Sequence, residues 1–107
     1  MTNNRLEQLK TFLQEEPNDP FLHYSIALEY LKLDEDQKAL KIFENLMNKQ
    51  PEYLPTYYHL GKLYEKLLNT EEAIKTYEKG ILLARKQQNK RTFRELNEAL
   101  NNLRSDI

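Results

Sequence analysis

Apolar residues recur along this chain in steps of three and four. Short polar or proline-bearing stretches interrupt them, so the pattern predicts helices joined by turns. Over residues 3–16 one stripe runs through Leu6, Leu9 and Phe12 (or Leu13). Pro17 closes that segment, because the residue before a proline disfavours helical backbone. Asp19-Pro20 opens the next: aspartate suits an N-cap, and proline fits the first helical position, where its missing N–H costs nothing. From Pro20 to about Leu33 the apolar set is Phe21, Tyr24, Ile26, Ala27, Leu28, Tyr30, Leu31 and Leu33. That is more of the circumference than a single stripe needs, so this helix is either clamped on two sides or offers a surface to a partner.

The acidic break Asp34-Glu35-Asp36 suits the start of a further helix, with Ala39, Leu40, Phe43, Leu46 and Met47 inward and an end at Gln50-Pro51. A helix over 54–67 then places Tyr57, Leu60, Gly61 and Tyr64 on one face. Asn69, with Glu72 three residues on, has the form of a capping box. Helix 71 to about 88 turns Ala73, Ile74, Tyr77, Gly80, Ile81 and Ala84 inward, and the chain is expected to bend near Asn89. Phe93, Leu96, Leu100, Leu103 and Ile107 mark a final amphipathic helix.

Two stretches of this pattern are copies of each other. A shift of 34 residues pairs His23 with Tyr57, Ile26 with Leu60, Ala27 with Gly61 and Tyr30 with Tyr64, and likewise Ala39 with Ala73 and Phe43 with Tyr77. This resembles the tetratricopeptide repeat family, whose unit carries W-x2-L-G-x2-Y, then A-x3-F, then P. Unit one (20–53) matches at Ile26, Ala27, Tyr30, Ala39, Phe43 and Pro51, with His23 in place of Trp. Unit two (54–87) matches at Leu60, Gly61, Tyr64, Ala73 and Tyr77, with Tyr57 in place of Trp, and departs at Arg85, where a proline would stand. Leu46 also departs, since the family usually has a small residue there. Residues 3–17 look like the second helix of a preceding half unit, and 90–107 like a capping helix.

The resemblance implies an all-α fold of five helices: a right-handed superhelical stack of antiparallel hairpins with a C-terminal cap, all within one domain. The repeat has its own physical logic. Two antiparallel helices approach closely only where side chains are small, so Ala27 or Gly61 is expected to face Ala39 or Ala73. Tyr30, Phe43, Tyr64 and Tyr77 then fill space between successive hairpins. On this placement Ala73→Arg overpacks the pair, at roughly 1–3 kcal/mol or more.

Composition narrows the function. Sixteen basic against seventeen acidic residues leave a net charge of -1, so global charge recruits neither nucleic acid nor an anionic membrane. No cysteine means no disulfide framework and no thiolate metal site. The N-terminal MTNNRLEQLK has no apolar core of signal-peptide length, and no apolar run approaches a membrane span. A soluble cytoplasmic protein is the expectation. His23 and His59 sit at non-equivalent offsets in different units with no carboxylate spaced to complete a metal site. Neither a nucleophile–base pair nor a phosphate loop can be drawn, so no enzyme, no cofactor and no metal are expected.

Stacked units of this family line a concave side with their first helices, and peptides or helices dock there. The resemblance therefore implies a non-catalytic protein-interaction module. The concave positions it assigns are Phe21, Tyr24, Leu28 and Leu31 in unit one, with Tyr58, Lys62, Glu65 and Lys66 in unit two. None is demanded by the helix-pair pattern. Some relatives clamp acidic chaperone tails with lysine and asparagine. Lys62 stands at one such position, but Leu28 and Tyr24 stand where polar ligands would be needed, so that use is not expected.

Two alternatives accompany this reading. The apolar face or the terminal helix could instead bury against a second copy, making the chain a self-assembly element, or the terminal helix could cover the apolar face. The run RKQQNKRTFR from Arg85 to Arg94 holds five basic residues and no acid, and could meet phosphates of nucleic acid. The plainer view is that Arg85 and Lys86 sit at a helix C-terminus, where cations are favourable, and the rest is solvated.

Overall fold

A computed structural model describes residues 4–106, and Asn3 and Ile107, assigned above to the first segment and the last stripe, lie outside the described residues. The described residues form α1 (Asn4–Glu15), α2 (Pro20–Lys32), α3 (Asp36–Lys49), α4 (Pro55–Lys66), α5 (Thr70–Lys86) and α6 (Lys90–Ser105), with no strand among them. That is six helices where five were expected, because a half unit, two hairpins and a terminal helix make six segments. The fold is an all-α helical repeat. The chain forms two compact units, Met1–Tyr53 with α1 to α3 and Leu54–Ile107 with α4 to α6.

In the first unit, Leu6 and Leu9 of α1 meet Leu22 and Ile26 of α2, with Leu13, Tyr30 and Ile42 packed against them. Ala27, Ala39 and Phe43 are completely buried, which is the small–small–large arrangement the repeat pattern anticipates. Leu46 is buried despite its size. Asp19 caps α2 as expected: its carboxylate accepts from the Phe21 N–H at 2.9 Å. Glu29, on α2, is buried with its carboxylate 3.5 Å from Lys32 and 3.9 Å from Arg5 of α1.

In the second unit a β-carbon built on Gly61 meets the ring of Tyr77 first, so Gly61 makes room for an aromatic ring of α5, and Ala73 of α5 is completely buried. Tyr77 accordingly packs within its own hairpin. Gly80 does the same service next to Tyr57 Cβ and Leu96 Cδ1. Leu96, Ala99, Leu100 and Leu103 of α6 are buried.

Three short turns share one backbone plan. Asp34, Leu68 and Gln88 each take positive φ (58°, 62° and 58°) immediately after a helix. The next N–H then folds back onto the helix: Glu35 to the Tyr30 carbonyl at 2.9 Å, Asn69 to Tyr64 at 2.8 Å, and Asn89 to Ala84 at 2.9 Å. This is the Schellman arrangement, which satisfies carbonyls left open at a helix end. It places the bend at Asn89, whose side chain then caps α6 by accepting from the Thr92 N–H at 3.0 Å.

The same plan removes the capping box expected at Asn69 and Glu72. A box needs the Asn69 N–H for the glutamate to reach, but that N–H already donates to Tyr64. The Asn69 side chain makes no capping bond, and Glu72 lies 3.7 Å from Lys75 instead.

Candidate functional site

The first predicted set lies along α2, where Phe21, Tyr24, Leu28 and Leu31 recur at helical spacing on one side. The structure sorts them into two kinds. Phe21 is 53% exposed, and Leu28 and Leu31 are half-buried. Tyr24 belongs to the hairpin: its ring stands edge-on to Phe43 of α3 (centroids 6.3 Å apart) and to Tyr53 (5.8 Å). Burial pushes the Tyr24 phenol pKa up, and Tyr53 is raised by burial and by nearby Tyr24 and Asp19. Tyr24 is half-buried, and its ring also meets its own hairpin through Phe43 and the following segment through Tyr53.

The second set lies along α4. Lys62 has its ammonium 5.7 Å from the centre of the Tyr58 ring and 3.8 Å from the Glu65 carboxylate. Glu65 also accepts a hydrogen bond from the Tyr77 hydroxyl of α5. Burial, then the Glu65 carboxylate, hold the Tyr77 phenol well above the ordinary tyrosine range. Thus Tyr58, Lys62 and Glu65 form one connected group, with Lys66 exposed a turn further on.

The concave positions assigned from the sequence end at α4, and the opposing wall comes from α6. Tyr58 and Lys62 share a cleft of about 170 Å³ with Glu95, Glu98, Ala99 and Asn102 of α6. The signal was present in those residues: their three- and four-residue spacing marks one side of α6. His59, next to Tyr58 on α4, has its ring edge-on to the Tyr58 ring at 5.5 Å. Burial holds the His59 imidazole below its usual pKa, partly countered by the Glu95 carboxylate. A tyrosine face, a cation and two carboxylates suit a polar peptide segment, since each offers a directed contact rather than a dry apolar slot.

His23 and the basic run complete the candidates. His23 donates from Nε2 to the Pro17 carbonyl at 2.7 Å, tying the start of α2 to the preceding turn. Among the described residues no group of three or more His, Cys, Asp or Glu side chains gathers as a metal site would require. In the basic run, Arg85, Lys86, Lys90, Arg91 and Arg94 are all exposed. Arg85 lies over the Phe93 ring at 5.4 Å, and Arg91 is 3.7 Å from Glu95.

The geometry has counterparts among known proteins. A tetratricopeptide repeat family model matches residues 54–87. The crystal structure of a tetratricopeptide repeat domain protein from Salinibacter ruber is 45% identical, covers 80% of this chain and 97% of its own, and superposes with a TM-score of 0.78. A protein from Bordetella parapertussis, at 20% identity, covers 99% of this chain and 91% of its own with a TM-score of 0.82. The TPR2B domain of yeast Sti1, solved in complex with pHsp70, is 14% identical and covers 95% of this chain and 82% of its own at a TM-score of 0.86. The last two speak to the fold alone. No curated protein sequence matches the chain.

Proposed function

The chain belongs to the tetratricopeptide repeat family, and we propose that it is a non-catalytic protein-interaction module taking a peptide or helix, with the α4 side of the second unit as a contact surface. The observation that carries this is the cleft of the second unit. Tyr58 and Lys62 project from α4 toward Glu95, Glu98 and Asn102 of α6, leaving a polar slot of about 170 Å³ that the hairpin's own packing does not fill. The exposed Phe21 on α2 offers an apolar anchor of the kind that partner helices bury. A neighbour of the same fold, the yeast TPR2B domain, is solved with a bound partner, which gives precedent for the use.

In this reading α1 is the half unit, α2 with α3 and α4 with α5 are the two full units, and α6 is the cap. Arg94, Glu98, Asn101 and Asn102 are exposed on α6 while its leucines are buried, as a cap requires. A second copy is the alternative occupant of the Phe21 side. No described helix is long and apolar enough to cross a membrane.

The test is capture of a partner by wild type, by Phe21→Ser and by Tyr58→Ala/Lys62→Ala, each checked for an unchanged melt. Loss of a wild-type partner in either variant supports the proposal, and retention in both refutes it. Light scattering separates the alternative: a mass that rises with concentration, and does so no longer in Phe21→Ser, would assign that side to self-assembly.

A further inference from the structure

A second surface lies at the other end of α5. Ala84, Arg85, Gln88, Asn89, Lys90 and Phe93 line an open cleft of about 480 Å³ where α5 turns into α6. Two of these six side chains are cations and none is an anion. The nearest acid in sequence, Glu95, is already paired with Arg91 at 3.7 Å. The floor is apolar, from the Ala84 methyl and the Phe93 ring, and the Arg85 guanidinium lies over that ring at 5.4 Å.

We infer that this corner is a docking site for a carboxylate-rich segment of a protein partner, distinct from the α4 side. A guanidinium resting on an aromatic face is held in orientation while its in-plane N–H groups stay open, which is what a carboxylate needs for paired hydrogen bonds. Lys90 supplies a second positive charge at the same mouth. Lys90 and Arg91 also open α6, where the helix dipole disfavours cations, so the sequence keeps charge here against local preference. Charge complementarity selects an acidic occupant. Single-stranded nucleic acid fits less well, because it needs free aromatic faces for its bases and Arg85 already covers the one ring present.

The test is fluorescence anisotropy of labelled octaglutamate, with labelled oligouridylate of equal length in parallel. Octaglutamate is expected to bind wild type, to weaken as salt rises, and to lose about tenfold in affinity in Arg85→Gln and in Lys90→Gln. Both positions are exposed, and a circular dichroism melt confirms that the variants fold. The Tyr58→Ala/Lys62→Ala variant is expected to bind octaglutamate like wild type, which separates this site from the one proposed above. Three results would each overturn the inference: no binding at low salt, binding indifferent to both charge removals, or tighter binding of the RNA through the same residues.

Discussion

A β-carbon placed on Gly61 of α4 would lie 2.2 Å from Cε1 of Tyr77 on α5, so the hairpin of the second unit closes around the absence of one methyl group. Tyr77 is completely buried, and its hydroxyl is anchored on Glu65, so the ring has little room to withdraw. Gly61→Ala gains helix propensity of about 1 kcal/mol but overpacks the interface. The net expectation is a loss of about 1–3 kcal/mol, read from the urea midpoint at unchanged slope.

The Tyr77–Glu65 bond joins the core to the proposed partner side. Tyr77→Phe keeps the ring and deletes the donor, leaving Glu65 with Lys62 and solvent. We expect a cost of about 1–2 kcal/mol, at the low end for a bond to a charged group because Glu65 is partly exposed. A variant as stable as wild type would show that the bond contributes little.

Leu68 holds φ of 62° and is 88% exposed, so its side chain gains almost nothing from burial while straining the backbone. Leu68→Gly removes the strain at a position where glycine is the usual choice. The expected result is a gain of up to about 1 kcal/mol in denaturant unfolding, net of the extra freedom glycine brings to the unfolded chain. A loss of stability would mean that the leucine side chain contributes at that turn.

Thr56 is completely buried, and its hydroxyl oxygen has no hydrogen-bond partner among the described residues. Thr56→Val replaces that oxygen by a methyl of similar size, so the desolvation cost disappears. Stability is expected to hold or to rise by about 1 kcal/mol in thermal or urea unfolding.

His59 has its pKa lowered by burial, with the Glu95 carboxylate acting in the opposite direction. The unfolded chain therefore binds this proton more readily than the folded one. Its contribution is complete above the unfolded value near 6.5 and is lost as pH falls through the folded value. The melting temperature of wild type should fall between about pH 7.5 and pH 5 more steeply than that of His59→Asn. Parallel slopes would remove His59 from the acid response.

Much of this architecture was legible in the residues alone. The 34-residue spacing of Ala27/Gly61, Ala39/Ala73 and Phe43/Tyr77 specifies hairpins, because only small residues permit close approach and only large ones fill the remaining space. Helix starts at Asp19-Pro20 were equally plain, since capping is a local interaction between neighbours in sequence. The capping box at Asn69 was not, because the same N–H could serve either Glu72 or the Tyr64 carbonyl, and backbone geometry chose the latter.

What tertiary structure alone decided is which neighbours each side chain meets. Tyr24 and Tyr58 look alike on their helices by periodicity. Yet Tyr24 is held between Phe43 and Tyr53, while Tyr58 stands at the rim of an open cleft. Likewise Gly61 signals close approach in sequence, but only the three-dimensional arrangement shows that Tyr77, sixteen residues on, is what approaches it. Periodicity assigns a residue to a side of its helix. The partner on that side is set by segments distant in sequence, and no local pattern encodes it.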